Sequence, residues 1–320
     1  MKKSMMNQTH IEGYLYEHKL ENKVSGANSK NPGTEFISGT ISIATDDDLL
    51  NVVQVHFTYV VATFAKSGKP NTTYNTLQAI IDGKIPSVME HGKENAGRIR
   101  VDSALALNEW YDTRTQGNPL VSVKRNEGGF VHQLNAAEEL DSNIGKRASF
   151  TVDMLINKAT RIEADEEKGT PEKMTLSGYI FDFRNALLPV EFTVLAAPAM
   201  NYFERQDISP KNPLFTQLSG EQVSQTVEVS KTEESAFGEP MVKTSRSSHR
   251  DFVVTWAQAE PYAWDDESTI LASELEKAVA DREIYLADIK KRQDEYQATK
   301  GNALAGAAPT TPATSGKYDF

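Results

Sequence analysis

The chain contains no cysteine. Disulfides and thiolate metal centres are therefore excluded, and nothing argues for an oxidising compartment. Its six histidines, His10, His18, His56, His91, His132 and His249, include no H-x-x-x-H pair that would put two ligands on one helix face. There is no G-x-x-x-x-G-K-[ST] phosphate loop, no G-x-G-x-x-G after a strand and no G-x-S-x-G elbow. Asp46-Asp47-Asp48 and Asp265-Asp266-Glu267 read as a solvated turn and a helix start. No catalytic constellation emerges, so a non-enzyme without metal or cofactor is expected. No stretch approaches the ~20 apolar residues of a membrane helix. Lys2 and Lys3 are followed by no apolar segment of signal-peptide type. The expected location is the cytoplasm, of a cell or of an infected host.

What is present is a soluble composition, 39% hydrophobic and 25% charged, over 320 residues, more than one core usually serves. The net charge is −11, against the basic balance usual for coating duplex DNA. The acids, however, are crowded into Asp46–Asp48, Asp165-Glu166-Glu167, Glu233-Glu234 and Asp265-Asp266-Glu267, and leave basic clusters between them.

An internal repeat organises the chain. Ile37-Ser38-Gly39-Thr40-Ile41 resembles Leu176-Ser177-Gly178-Tyr179-Ile180, and Val55-His56-Phe57-Thr58-Tyr59 resembles Val190-Glu191-Phe192-Thr193-Val194. Pro119-Leu120-Val121 resembles Pro240-Met241-Val242. The three matches keep their order at spacings of 139, 135 and 121 residues, as expected if loops shortened in the second copy. Each third match leads into a basic stretch expected to be a turn: Lys124-Arg125 in one copy, Arg246, His249 and Arg250 in the other.

Period-two alternation over Glu35–Ile43 and Val53–Val61 predicts half-buried strands. It puts Val53, Val55, Phe57, Tyr59 and Val61 on one face. Gly39 and Gly178 fall inside equivalent strands, where glycine marks a bulge or corner. Between the third and fourth strands, the first copy has a short helical candidate, Leu77–Ile81, closed by Asp82-Gly83; the second has a Pro-rich section, Pro198–Gly220. Three strands, a helix or loop, and two strands is the layout of the OB-fold, with a small sandwich as its rival. The expected fold is mainly β: two tandem OB-like small β-barrels (residues 8–140 and 146–262), a long C-terminal helix (266–298) and a disordered tail (299–320). The helix stripe Leu271, Leu275, Ala278, Arg282, Tyr285, Ile289, Tyr296 needs a partner. The second barrel is expected to supply it, with a homo-oligomer contact as the alternative. The tail ends in Tyr318-Asp319-Phe320, an aromatic-acidic tip of the kind partner proteins capture.

Binding single strands needs a cationic track interleaved with exposed rings. The sequence offers Lys66 and Lys69 before Tyr74; Arg98 and Arg100 leading to Trp110 and Tyr111; Lys124 and Arg125; Arg184 after Tyr179, Phe181 and Phe183; and Lys243, Arg246 and Arg250. Trp110, Tyr111 and Tyr74 are expected to be exposed, and Phe57 and Phe192 to be core.

With Ile37–Ile41, Val53–Tyr59, Lys124-Arg125, the acidic balance and the Asp319-Phe320 end, the chain resembles the single-stranded DNA-binding proteins of tailed bacteriophages. The resemblance implies coating of exposed strands during replication or recombination, with the tail recruiting replication proteins. The sequence departs from the family in having one acid, Asp319, at the tip. The alternative is a viral structural or assembly protein with two β domains and an oligomerising helix.

Overall fold

The computed structural model describes residues 4–27, 29–64, 67–164, 171–233 and 241–305, with side chains described except at 225–233, 241–249 and 299–305. The first five strands are β1 (Asn7–Val24), β2 (Glu35–Ala44), β3 (Val52–Val60), β4 (Arg98–Tyr111) and β5 (Leu120–Gln133). Alternating apolar residues supply their inner face: Ile11, Leu15, Ile37, Ile41, Ile43, Val55, Ile99 and Val101 are buried together. Antiparallel pairs β1–β2, β2–β3, β4–β5 and β1–β4 and a short parallel contact between β3 and β5 close the strands in the cyclic order 1-2-3-5-4. Between β3 and β4 lie α1 (Thr72–Ile81) and the single-turn α2 (Val88–His91). The Asn71 side chain caps α1 by accepting from the Thr73 amide at 3.1 Å, and Leu77 and Ile80 plug the barrel floor.

The second half repeats this order. Its strands are β6 (Ala148–Ile162), β7 (Lys173–Phe181), β8 (Leu187–Val194), β9 (Leu214–Glu233) and β10 (Met241–Ala257). They pair as β6–β7, β7–β8, β9–β10 and β6–β9, closed by a parallel bridge between Val253 and Thr193. A five-stranded Greek-key barrel with a helix between its third and fourth strands is the OB topology, and this chain contains it twice. The three sequence matches fall on β2 and β7, on β3 and β8, and at the starts of β5 and β10. In the second core Phe150 stacks on Phe192 at 4.9 Å, with Phe252 edge-on.

Two expectations need correction. The Pro198–Gly220 section, expected to be a helix or loop without strand, is strand from Leu214 where β9 begins; before that it holds α3 (Ala197–Glu204), with Pro198 in its first turn and Met200 and Phe203 buried. The basic stretches are not turns. Lys124 and Arg125 lie within β5, and Arg246 and Arg250 within β10, because both hairpins are longer than the barrels need.

The barrels are joined by strand pairing. Asn7–Ile11 of β1 pair with Ala148–Val152 of β6, and the same strand pairs β4 along its other edge. Side-chain amides seal the joint. Asn7 donates to the carbonyls of Leu105 and Phe181, Asn51 to that of Gln222, and Asn126 to the Gln222 side chain at 2.9 Å.

The last element, α4 (Ala272–Ala305), begins later and runs further than the expected 266–298; the tail tip lies outside the described residues. Asp265 caps it by accepting from the Ala272 amide at 2.8 Å. Leu275, Ala278 and Val279 pack on Leu155, Phe181, Leu187 and Phe215 of the second barrel. Further along, Arg282 pairs with the buried Glu109 of β4, and Gln293 bonds the Tyr111 backbone.

Gly39 and Gly178 occupy the same place in both barrels. A Cβ would lie 2.0 Å from the Lys19 carbonyl oxygen at one and 2.1 Å from that of Leu155 at the other, and Gly39 also has φ +132°. Alanine at either position should lower unfolding free energy by about 1–3 kcal/mol, more at Gly39 because of the added backbone strain. Urea denaturation of the two variants checks this; an unchanged midpoint would contradict the close approach.

Candidate functional site

In each β2 or β7 strand the large apolar residues face the core, so the alternate residues face outward. On the first barrel the cross-strand register sets Lys19, Thr40 and His56 in one row and Lys23 opposite Phe36 in another. The Phe36 ring packs against Tyr59 at 4.6 Å, and Tyr59 is 45% exposed. Tyr59 was expected in phase with Val53, Val55 and Phe57. An extra β3 residue between the Ile37–Val60 and Gly39–Phe57 pairs reverses that phase and turns Tyr59 outward. This aromatic pair was missed by alternation alone. Glu17 and Glu21 share the face, the latter 3.0 Å from Lys23.

The face runs into a cleft between the barrels, about 290 Å³ in volume, bounded by Gln54 and His56 of β3, Lys124 and Arg125 of β5, and Arg250 of β10. The cations of corresponding strands in the two copies thus meet. Arg125 is held by Glu127 at 2.6 Å, and Arg250 donates to Gln54 at 3.4 Å. Burial, with the charges of Arg125 and Arg250, holds the His56 imidazole below its ordinary pKa against an opposing pull from Glu127, so the row is neutral at its centre near pH 7.

Lys124 is different. Its ammonium lies over the rings of Phe252 and Phe192, at 4.7 and 5.1 Å, and donates to the Glu191 carbonyl. Desolvation lowers its pKa from 10.5 to about 8, partly offset by Asp251 and Glu191. It is a tie between the barrels rather than a cation presented to solvent.

The other expected residues scatter. Arg98 donates to the Asn135 carbonyl, and Arg100 is paired at 2.7 Å with buried Glu12 on the far wall of the first barrel. Tyr74 is not exposed as expected: it packs on the first core. Tyr111 is half-buried beside α4, with the Lys290 ammonium 5.9 Å from its ring centre. Trp110 is 39% exposed at the end of β4, and Lys69 is exposed in the loop after β3. Arg184 stacks on the exposed Phe183 at 4.9 Å, in the β7–β8 turn beside a cavity of about 640 Å³ under α4. Lys243 and Arg246 fall on β10 opposite Lys231 and Glu228. Lys66, Tyr318, Asp319 and Phe320 lie outside the described residues. Among the described residues no group of three or more His, Asp or Glu side chains could hold a metal ion, and no helix is long and apolar enough to cross a membrane.

Two barrels of OB topology joined edge to edge, with one open outer face and a cationic cleft, define a tandem OB-fold protein. The chain belongs to the YorF family, whose model matches residues 6–301. Among solved structures it is similar to a deletion mutant of the single-stranded DNA-binding protein from Thermus aquaticus, with a TM-score of 0.44 and 9% identity over 82% of this chain and 98% of that one. No curated protein matches it.

The Lys124 environment gives a pH signature. Below about pH 8 folded and unfolded chains both carry the proton, and the burial penalty is fully present. Between about 8 and 10.5 the unfolded chain binds more protons, so stability rises with pH. Wild type should therefore gain up to about 3 kcal/mol relative to Lys124→Met over that range. Urea denaturation at several pH values measures it; parallel curves for the two proteins would contradict the assignment.

Proposed function

We propose that this protein is a non-catalytic single-stranded DNA-binding protein, acting in the cytoplasm on strands exposed during replication or recombination, in the manner of the phage proteins its sequence resembles. The observation that carries the reading is the meeting of Arg125 and Arg250, from the fifth strands of two OB barrels, in one cleft continuous with a face bearing half-buried Phe36 packed on exposed Tyr59. Phosphates would take the arginines, and bases would stack on the rings, at about 1–3 kcal/mol per base. Such a site works on an acidic protein because it needs local cations rather than a basic surface overall. Since Arg125 already has Glu127 as a partner, a phosphate competes with a carboxylate there, and a shallow salt dependence is expected.

Anisotropy titration of fluorescein-labelled oligo-dT at several salt concentrations tests the reading; no binding at low salt would sink it. The double variant Arg125→Ala/Arg250→Ala should bind more weakly, with the slope of log K against log salt shallower by about 1.4, two phosphate contacts at about 0.7 each. An unchanged slope in the double variant would remove the cleft from the strand path.

A further inference from the structure

The two barrels have the same topology but not the same outer face. Superposing the repeats on Gly39 and Gly178 aligns the three-stranded faces through their strand registers. Lys19, opposite Thr40, corresponds to Leu155, opposite Tyr179; Lys23, opposite Phe36, corresponds to Thr160, opposite Thr175. On the third strand His56, opposite Thr40, corresponds to Pro189, opposite Tyr179, and the bulged Thr58-Tyr59 stretch falls where Glu191 stands opposite Ser177. Every ring or cation at these places in the first copy is replaced in the second by an aliphatic, hydroxyl or carboxylate side chain.

The replacements have a visible use. Leu155 is fully buried, with Tyr179 packed beside it, because α4 lays Leu275, Ala278 and Val279 over that part of the face. Beside them Leu107, Ser122 and Lys124 of the first barrel's long hairpin stand over Ser177, Gly178 and Val190. The remaining exposed acid, Glu191, accepts a hydrogen bond from Ser177 at 2.9 Å and would repel phosphate. The second barrel's face has become a seat for the helix and the hairpin.

We infer that the chain engages single-stranded nucleic acid on one barrel only: Phe36, Tyr59, Lys19 and Lys23 form the primary contact surface, and the second barrel contributes Arg250 at the cleft edge while its own three-stranded face carries no strand. This rests on the proposed function above and adds residues and an asymmetry that reading does not require.

The test compares oligo-dT binding by wild type, Phe36→Leu/Tyr59→Leu and Lys158→Ala/Ser177→Ala. Leucine keeps apolar bulk at the first pair, and Lys158 and Ser177 sit side by side on the second barrel's face. Thermal melting verifies that each variant is folded. The leucine pair should weaken binding about tenfold or more, and the second-barrel pair should leave both affinity and salt slope unchanged. For the first barrel a second variant, Lys19→Ala/Lys23→Ala, should flatten the slope without touching either ring. Equal losses from the two barrels, or no loss from either first-barrel variant, would overturn the asymmetry while leaving strand binding intact. Absence of binding by wild type would instead remove the underlying reading and the asymmetry with it.

Discussion

The architecture depends on one strand serving two sheets. Along one edge β1 pairs with β4; along the other its first residues pair with β6 and its later ones with β2. A backbone ladder is directional and spaced at fixed intervals, so sharing a strand sets the position and tilt of the second barrel on the first. The amides of Asn7, Asn51 and Asn126 then satisfy carbonyls and a side chain that the junction would otherwise bury unpaired. These amide bonds are neutral, and the charged Lys124 tie and the Arg147–Asp47 pair at 3.4 Å stand beside them. Across that junction Arg125 and Arg250 face one cleft.

That constraint also accounts for how the two copies diverged. A barrel docked at one edge and given a long C-terminal helix must cover the helix stripe with something apolar. Leu155, Phe181 and Leu187 on the second barrel supply the cover, and Lys124 threads its stem from the first barrel onto Phe192 and Phe252. At the covered places that face has lost the first barrel's lysine and ring positions, and the cation it keeps, Lys158 opposite Ser177, stands clear of the helix contacts where the first barrel has Glu21 opposite Ser38. On the first barrel, among the described residues, α4 touches β4 and not β2 or β3, and that outer face keeps lysines beside the half-buried Phe36 and the exposed Tyr59.

The fold was legible in the sequence because its signals are local. A glycine at one strand position, period-two alternation around it, and the same order of segments repeated later all survive without knowledge of contacts. The second copy's helix was hidden because α3 is short and bracketed by prolines at 198, 210 and 213. The site was much less legible. Whether an arginine is available depends on carboxylates far along the chain: Arg100 is satisfied by Glu12, 88 residues away. Lys124 looked like half of a basic turn, but its amine is held by the other barrel. Tyr59 looked like core because a single-residue bulge, invisible to periodicity, moves it to the outside. The recurrence of cations on the fifth strand of each copy is the signal that points to Arg125 and Arg250 as candidates.

The central claim is that a strand runs over β2 and β3 of the first barrel into the cleft. Photocrosslinking with 5-iodouracil-substituted oligonucleotides, followed by mass-spectrometric peptide mapping, tests it most directly, since the halogenated base couples to the ring it stacks on. The account predicts crosslinks concentrated in the peptides that contain Phe36 and Tyr59. Crosslinks confined to the β7–β8 segment, around Tyr179 and Phe183, would contradict it.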